Sequence, residues 1–536
     1  LASHFRDFLK VICFKNFLLQ QGQDQTITRI SAGPFVPNES TGTQELLGGL
    51  WDYSTSIKGR KKNVILSYTQ RFLYSGNFSG EHRFGGDRHR LEWNAGYIFT
   101  RQDMPDQRVL RFDNMRNGRS YNGVFPDYNW VALERATHYE DGLTDLLMGK
   151  VSRSWTRNTE QSGNFALDYT WNAAKSFNVK LGTYSQYRHR TLYRRTYTLN
   201  EGDLNSAGYI EGGMDDWQVG AGSDYMDYNR VYYTEQDLWN VWSTDYLKDD
   251  GSALKVFDRT SGSDSYKADE QLHSGYALFN LKPLGEKLDV SLGLRVEYDR
   301  QQVASAYVSP NDRGGVNAPL LVDNEITDWL PSGNVSYKPT GKWVFRAAYG
   351  QSLNRPEFRE MSSFSETDYL NGQTIRGNSG LVRSKADNYD LRAEWYPYGD
   401  SKSDMLSIGG FYKTIEKPIE RTVTKEMAFS YTLPVISWRN GEEATIKGVE
   451  VELRKDFSFI PGKIFSDLSV IANYTWLHSE VTVQNRGISP DGSKIIDTFI
   501  TRKLQGQAPY ILNAGLYYDN AGSGTKAALI FNRIGE

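Results

Sequence analysis

No run of about 18 apolar residues occurs in the 536-residue chain, which excludes membrane-spanning helices. Cysteine is nearly absent, and Cys13 alone cannot form an internal disulfide, so no disulfide framework holds the fold. Charge of one sign is lacking as well. Lysine and arginine number 62 against 65 aspartates and glutamates, a net charge of −3, and nothing here favours nucleic acid. The first residues, LASHFRDFLKVICFKNF, lack a basic stretch, a continuous apolar core and a small-residue cleavage site, so they do not read as a signal peptide. Both ends fall inside predicted strands, and the chain is expected to be a piece of a longer protein.

Catalytic patterns are missing too. The seven histidines, His4, His82, His89, His138, His189, His273 and His478, form no HExxH or comparable ligand spacing. Gly377-Asn378-Ser379-Gly380 lacks the fifth position of a nucleophile elbow. Gly220-Ala221-Gly222 meets Tyr225 where a dinucleotide loop needs its last glycine, and there is no Walker A sequence. No enzyme and no cofactor is expected.

What the chain has is aromatic residues, 13 % of the total with 34 Tyr and 13 Trp, set in a period of two. Leu288, Val290, Leu292, Leu294, Val296 and Tyr298 share one face, against Asp289, Ser291, Gly293, Arg295, Glu297 and Asp299. The same alternation runs through Leu91–Phe99, Phe165–Trp171, Trp343–Tyr349, Tyr389–Trp395, Val449–Leu453 and Leu468–Trp476. Helices need a period of 3.6, which none of these segments shows. Between the strands, short turns rich in Gly, Pro, Asn and Asp alternate with long connections at residues 101–160, 191–270, 301–326, 352–386, 417–442 and 479–502. Short turns on one side and long loops on the other fit an outer-membrane β-barrel. About 16 strands are visible, most of them meeting the ~9–11 residues a tilted strand needs to cross. A soluble all-β fold would need a second sheet to cover the Trp, Leu and Val faces. A porin of similar strand number fits the count equally.

Seven segments in order carry a resemblance: YGQSLNRPEFRE (Tyr349–Glu360), GNSGL (Gly377–Leu381), NYDLRAEWYP (Asn388–Pro397), GFYKTIEKPIE (Gly410–Glu420), IKGVEVELRK (Ile446–Lys455), NYTWLHSEV (Asn473–Val481) and LQGQAPYILNAGLYYD (Leu504–Asp519). Together they resemble the barrel strands of TonB-dependent outer-membrane receptors, of the large-looped kind common in Bacteroidetes. The resemblance implies a transmembrane antiparallel barrel of 22 strands filled by a plug. This chain would supply strands four to nineteen: residues 1–536 as one barrel domain without the plug, the first strands or the last strands. It also implies active import of a scarce solute (siderophore, vitamin, peptide or glycan) across the outer membrane of a Gram-negative bacterium. The implied partners are a TonB-type energy-coupling protein acting through a plug and TonB box, the outer-membrane lipid, and, for glycans, a surface lipoprotein. A passive porin-like channel and an adhesin or secretion component are the alternatives.

Two groups of residues are candidates for function. If the apolar faces meet lipid, Glu92, Arg295, Glu297, Arg346, Arg392, Glu394, Glu450, Glu452 and Arg454 line the lumen. There they either pair across strands or dock a plug and guide solute. The other group lies in the longest connection. Between Glu201 and Glu270 there are 16 carboxylates against five Lys or Arg, interleaved with Trp217, Tyr225, Tyr228, Tyr232, Trp239 and Trp242. Rings beside carboxylates suit a sugar or a cationic ligand; an acidic lid with no ligand is the plainer reading. Asp215, Asp216, Asp224 and Asp227 are weak Ca²⁺ candidates whose spacing does not match an EF-hand. Arg101, Arg108, Arg111, Arg116 and Arg119 cluster in the connection at residues 101–160. They suit either an anionic ligand or pairing with the acidic connection.

Overall fold

The computed structural model describes residues 9–32, 35–37, 44–46, 60–114, 130–131, 151–201, 254–258, 260–307, 318–368, 373–399, 404–428, 431–488 and 495–535. Strands dominate. In chain order they are β1 (Leu9–Ala32), β2 (Phe35–Pro37), β3 (Gln44–Leu46), β4 (Arg60–Phe84), β5 (His89–Asn114), β6 (Trp130–Val131), β7 (Val151–Ala174) and β8 (Phe177–Glu201). The middle of the chain holds β9 (Leu254–Asp258), β10 (Ser265–Leu281), β11 (Leu288–Tyr307), β12 (Ala318–Thr340), β13 (Trp343–Asn354), β14 (Ser365–Asp368), β15 (Gln373–Arg376) and β16 (Ser384–Trp395). The last third adds β17 (Met405–Glu416), β18 (Ile419–Ala428), β19 (Tyr431–Asn440), β20 (Glu443–Asp456), β21 (Leu468–Ile488), β22 (Ile495–Arg502), β23 (Tyr510–Asn520) and β24 (Thr525–Ile534). Among the described residues no helix is long and apolar enough to cross a membrane.

An 18-stranded sheet forms the wall. Fifteen long strands pair antiparallel, each with the next along the chain, while β6, β9 and β22 add short outer rungs. The seven alternating segments read from the sequence all lie within these strands. Their two faces have opposite fates. On β11, Leu292 and Leu294 are exposed, whereas Glu297, Asp299 and Gln301 are buried. Leu391 and Trp395 on β16, and Tyr474 and Trp476 on β21, are exposed in the same way. Apolar side chains left bare and charged ones covered is the inverse of a soluble core and fits a wall that meets lipid outside.

The short turns need backbone that most residues resist. Between β4 and β5, Gly85, Gly86 and Asp87 all take positive φ (66°, 64° and 64°), and two glycines remove most of that cost.

The long connections are shorter than the sequence suggests, because the strands continue into them. β5 runs on to Asn114 and β7 starts at Val151; β8 reaches Glu201. Strands of 24 to 26 residues, at ~3.3 Å per residue, are about 80 Å long, far more than a bilayer core of ~30 Å demands. The apolar belt marks where they leave it. Outward-facing positions on β11 are uncharged from Leu288 to Tyr298, and Arg300 is the first charge. Beyond that level the outward face turns polar while the inner face mixes polar residues such as Gln301 with apolar ones such as Val303, so the hydropathy alternation vanishes while the hydrogen-bonded ladder goes on.

A second, 4-stranded sheet in the order β14-β15-β19-β18 joins two of the long connections. Its central pairing is parallel, with Thr374 opposite Val435 and Ile375 opposite Ile436. Strands β14 and β15 are thereby joined to β18 and β19 in one sheet.

Candidate functional site

The inner face of the wall is a ladder of charges that neutralise one another. On β4 and β5, Arg83 and Arg90 both reach Glu81, and Arg90 also reaches Glu92 at 2.8 Å. Across β13, β16 and β20 the signs alternate. Glu394 accepts from Arg346 at 3.1 Å and faces Arg392 at 3.0 Å, while Glu452 lies 2.9 Å from Arg392 and 2.8 Å from Arg454. Arg392 crosses β17 to reach Glu452; the β17 residue opposite Arg392 is Gly409, which has no side chain to block the span. Glu450 is exposed and forms no ion pair among the described residues. Eight of the nine lumen candidates therefore take part in cross-wall or local ion pairs, which is the pairing the plainer reading expects.

Near the outer end, the ladder carries a different structure. Between β13 and β16, the described residues 355–368 and 373–383 fold against the inner face of the wall. Their single helical turn, Phe358–Met361, is closed by reciprocal hydrogen bonds between Glu357 and Glu360. Phe358, Met361, Phe364 and Leu381 are buried against Leu192 of β8, Tyr266 and Ala268 of β10, Val303 of β11 and Val322 of β12. Burying each large side chain contributes about 1.5–3 kcal/mol.

Charge fixes the segment as firmly as apolar packing. Arg355 reaches Glu297 at 2.6 Å and Asp299 at 3.0 Å. Arg188 and Arg190 hold Glu357 at 3.4 and 3.8 Å, and their guanidiniums lie 5.0 and 5.4 Å from the Phe358 ring. Glu160 and Glu270 balance the same two arginines. Arg194 and Arg359 each lie 4.7 Å from the Phe364 ring. Arg359 also donates to the carbonyls of Phe364 and Ile375. Burial pushes the Glu360 carboxyl above its ordinary pKa.

The GNSGL motif has a steric reason. A Cβ on Gly377 would come within 2.2 Å of the Ser362 carbonyl oxygen and 2.6 Å of that of Glu360, so only glycine lets these backbones cross. Asn378 then donates to the Trp438 carbonyl, Leu381 enters the core, and Arg383 pairs with Asp328 of β12. Two segments that look like family punctuation, LNRPEFRE and GNSGL, turn out to be the ends of one inward fold.

Trp217, Tyr225, Tyr228, Tyr232, Trp239 and Trp242 lie outside the described residues, as do Asp215, Asp216, Asp224 and Asp227. Among the described residues no group of three or more His, Cys, Asp or Glu is placed to hold a metal ion. Arg108 sits on the outward face of β5, opposite Arg153 in register. Both donate to Asp106, with the nearest contacts at 2.7 and 2.6 Å. Arg101 likewise reaches Asp103 at 2.6 Å. Among the described residues these arginines pair with carboxylates of β5. Arg111 lies in β5, and its side chain is outside the described residues. Arg188, Arg190, Arg194, Arg355 and Phe358 escape a reading of motifs; the available signal was three arginines on one face of the strand RHRTLYRR.

A comparison with curated proteins finds no match. Among solved structures the chain is similar to the siderophore receptor PirA from Pseudomonas aeruginosa, with 12% identity, coverage of 95% of this chain and 79% of that one, and a TM-score of 0.36. It is also similar to the ferric citrate transporter FecA in its unliganded form, with 11% identity, 86% and 56% coverage and a TM-score of 0.40. The copper transporter OprC gives 12%, 99% and 67%, with a TM-score of 0.41. The chain thus spans little more than half the length of FecA. The family model described as TonB dependent receptor-like, beta-barrel matches residues 44–533. Over that span the chain belongs to the TonB-dependent receptor family, outer-membrane receptors and transporters of Gram-negative bacteria that work with a TonB energy-coupling partner and are not enzymes.

Proposed function

We propose that this barrel belongs to an active importer in which extracellular connections capture a scarce solute and the polar lumen passes it to the periplasm. The observation that carries this reading is the inward fold of residues 355–368 and 373–383. A passive channel is best served by an open mouth, whereas here the outer end of the inner wall bears a folded, ion-paired structure over a charged ladder. The solute is a siderophore, vitamin, peptide or glycan. The aromatic and acidic connection bearing Trp217, Tyr225, Tyr228, Tyr232, Trp239 and Trp242 supplies the first capture, with Arg108 and Arg111 flanking the mouth. A surface lipoprotein is the partner expected if the solute is a glycan.

The test compares a deletion strain with its parent for uptake of ferric siderophores, cobalamin, peptides and oligosaccharides, each with and without a protonophore. Loss of one class on deletion, with the same loss on adding protonophore, supports the importer. Uptake lost on deletion yet indifferent to protonophore makes the protein a passive channel. No change in any class points instead to an adhesin or secretion component.

A further inference from the structure

The connection between β20 and β21 bares more large apolar side chains than the other described short turns, of which β10–β11 bares Leu284 and β16–β17 Tyr398. The β4–β5, β12–β13 and β23–β24 turns are built from Gly, Ala and polar residues. This one reads FSFIPGKIFSD, and it leaves Phe459, Ile464 and Phe465 respectively 59%, 65% and 41% exposed. Bare apolar side chains at a turn are costly in water, so their surroundings matter.

Their position is fixed by Lys455. That residue follows Val449, Val451 and Leu453 in the outward, lipid-facing row of β20, where Val449 and Leu453 are exposed. The Lys455 ammonium lies 4.7 Å from the Phe459 ring and 5.4 Å from that of Tyr398 in the neighbouring turn. Asp404 neutralises it. Phe459 therefore sits outside the wall, immediately below the lipid-facing row. The adjoining rim is aromatic as well. On the outward faces of β13 and β16, the Trp343 ring stacks 5.8 Å from Phe345 and 6.2 Å from Trp395. Apolar side chains thus occupy the lipid belt, the rim and the turn in succession, with only the neutralised Lys455–Asp404 pair between Leu453 and Phe459. Lys463 is exposed beside it.

We propose that the Phe457–Asp467 turn is a membrane anchor, with Phe459, Ile464 and Phe465 inserted at the headgroup boundary of the periplasmic leaflet and Lys463 facing lipid phosphate. Rings at the boundary with a lysine reaching for phosphate are the arrangement of an interfacial amphipathic segment. Continuity with the belt singles out lipid over a protein partner.

The experiment uses the full chain with Cys13→Ser and a single cysteine at Ile464→Cys or, separately, Ser523→Cys in the polar β23–β24 turn. Each is labelled with an environment-sensitive fluorophore in phosphatidylethanolamine–phosphatidylglycerol vesicles and quenched by brominated lipid or by iodide. The anchor requires several-fold stronger brominated-lipid quenching at 464 than at 523, and the reverse order for iodide. Equal iodide quenching at the two sites places the turn in water and overturns the proposal. Protection of 464 from both quenchers means that protein covers it, and overturns it equally. Phe459→Cys repeats the measurement should Ile464→Cys disturb the turn.

Discussion

Two sets of arginines stand on neighbouring strands and end differently. Arg101, Arg108, Arg153 and Arg157 lie on the outward face of β5 and β7 above the lipid belt; Arg188, Arg190 and Arg194 lie on the inward face of β8. Both sets are matched by carboxylates. The outward set pairs with Asp103 and Asp106 on the same two strands, and its side chains are up to 60% exposed. The inward set is 19% exposed; Arg188 and Arg190 reach Glu357, more than 160 residues further along the chain, and Arg194 pairs with Asp264 and donates to the Ser365 carbonyl. Pairs between neighbours in water add little to a register the ladder already sets. Pairs made across the lumen, against rings, decide whether a distant segment docks. Location rather than number of charges gives the inner set its structural weight.

That contrast can be broken in order of size. Phe358→Ala removes the ring shared by Arg188 and Arg190, with an expected cost of about 3–5 kcal/mol to docking. Hydrogen exchange should rise across Arg355–Arg383 while the wall strands keep their protection. Arg355→Ala leaves Asp299 without its cation and Glu297 with Arg295 alone. The expected loss is about 2–4 kcal/mol, below that of a fully buried pair, and Arg355→Lys should restore only part of it because one ammonium cannot fork between two carboxylates. Gly377→Ala forces the backbone crossing apart for about 1–3 kcal/mol, seen as faster exchange that extends through β15 into β19.

Asp106→Asn belongs at the small end, below about 1 kcal/mol, and should leave the inward segment untouched. It also carries a pH signature. Burial works against the Asp106 carboxylate, but hydrogen bonds from Arg153 and Arg108 outweigh burial and hold its pKa below the ordinary value. A depressed pKa means stabilisation present above the unfolded-state value and lost as pH falls through the folded one. Pepsin nicking between β5 and β7 should increase on acidification below the ordinary Asp range, and Asp106→Asn should be nicked to the same extent throughout. An acid response that survives in the variant assigns it to another group.

Where lipid bounds one side of the wall, the sequence was legible. Leu288–Tyr298 and its counterparts alternate because each faces hydrocarbon and lumen in turn, and all of them became strands. Above the belt, in stretches such as RQDMPDQRVLRF, both faces meet water or charge, so hydropathy no longer tells strand from loop. The charged row that includes Arg295, Glu297, Arg392 and Glu394 was legible because an ion among alternating apolar residues stands out, and the structure shows these four in ion pairs. The inward segment was not, since Phe358, Met361 and Phe364 neither alternate nor extend to helix length. One trace of it was visible: Arg295, Glu297, Asp299 and Gln301 share a face with Val303, an apolar residue where the row should stay polar. Its partner was 55 residues away.

The irregularity in β5 between Met104 and Gln107 has a consequence for anyone altering this barrel. It adds one residue to one strand, and Asp106, with a φ of 56°, occupies it. Below it even-numbered residues such as Glu92 face inward; above it odd-numbered ones such as Val109 do. The chain is read two residues at a time, so this extra residue acts as a frameshift written in geometry. Deleting Asp106 would leave a plainly alternating strand in which Pro105 faces Trp155, Arg108 still points out and Val109 still points in. The loss would fall on the carboxylate shared by Arg108 and Arg153 and not on the facing of the tip.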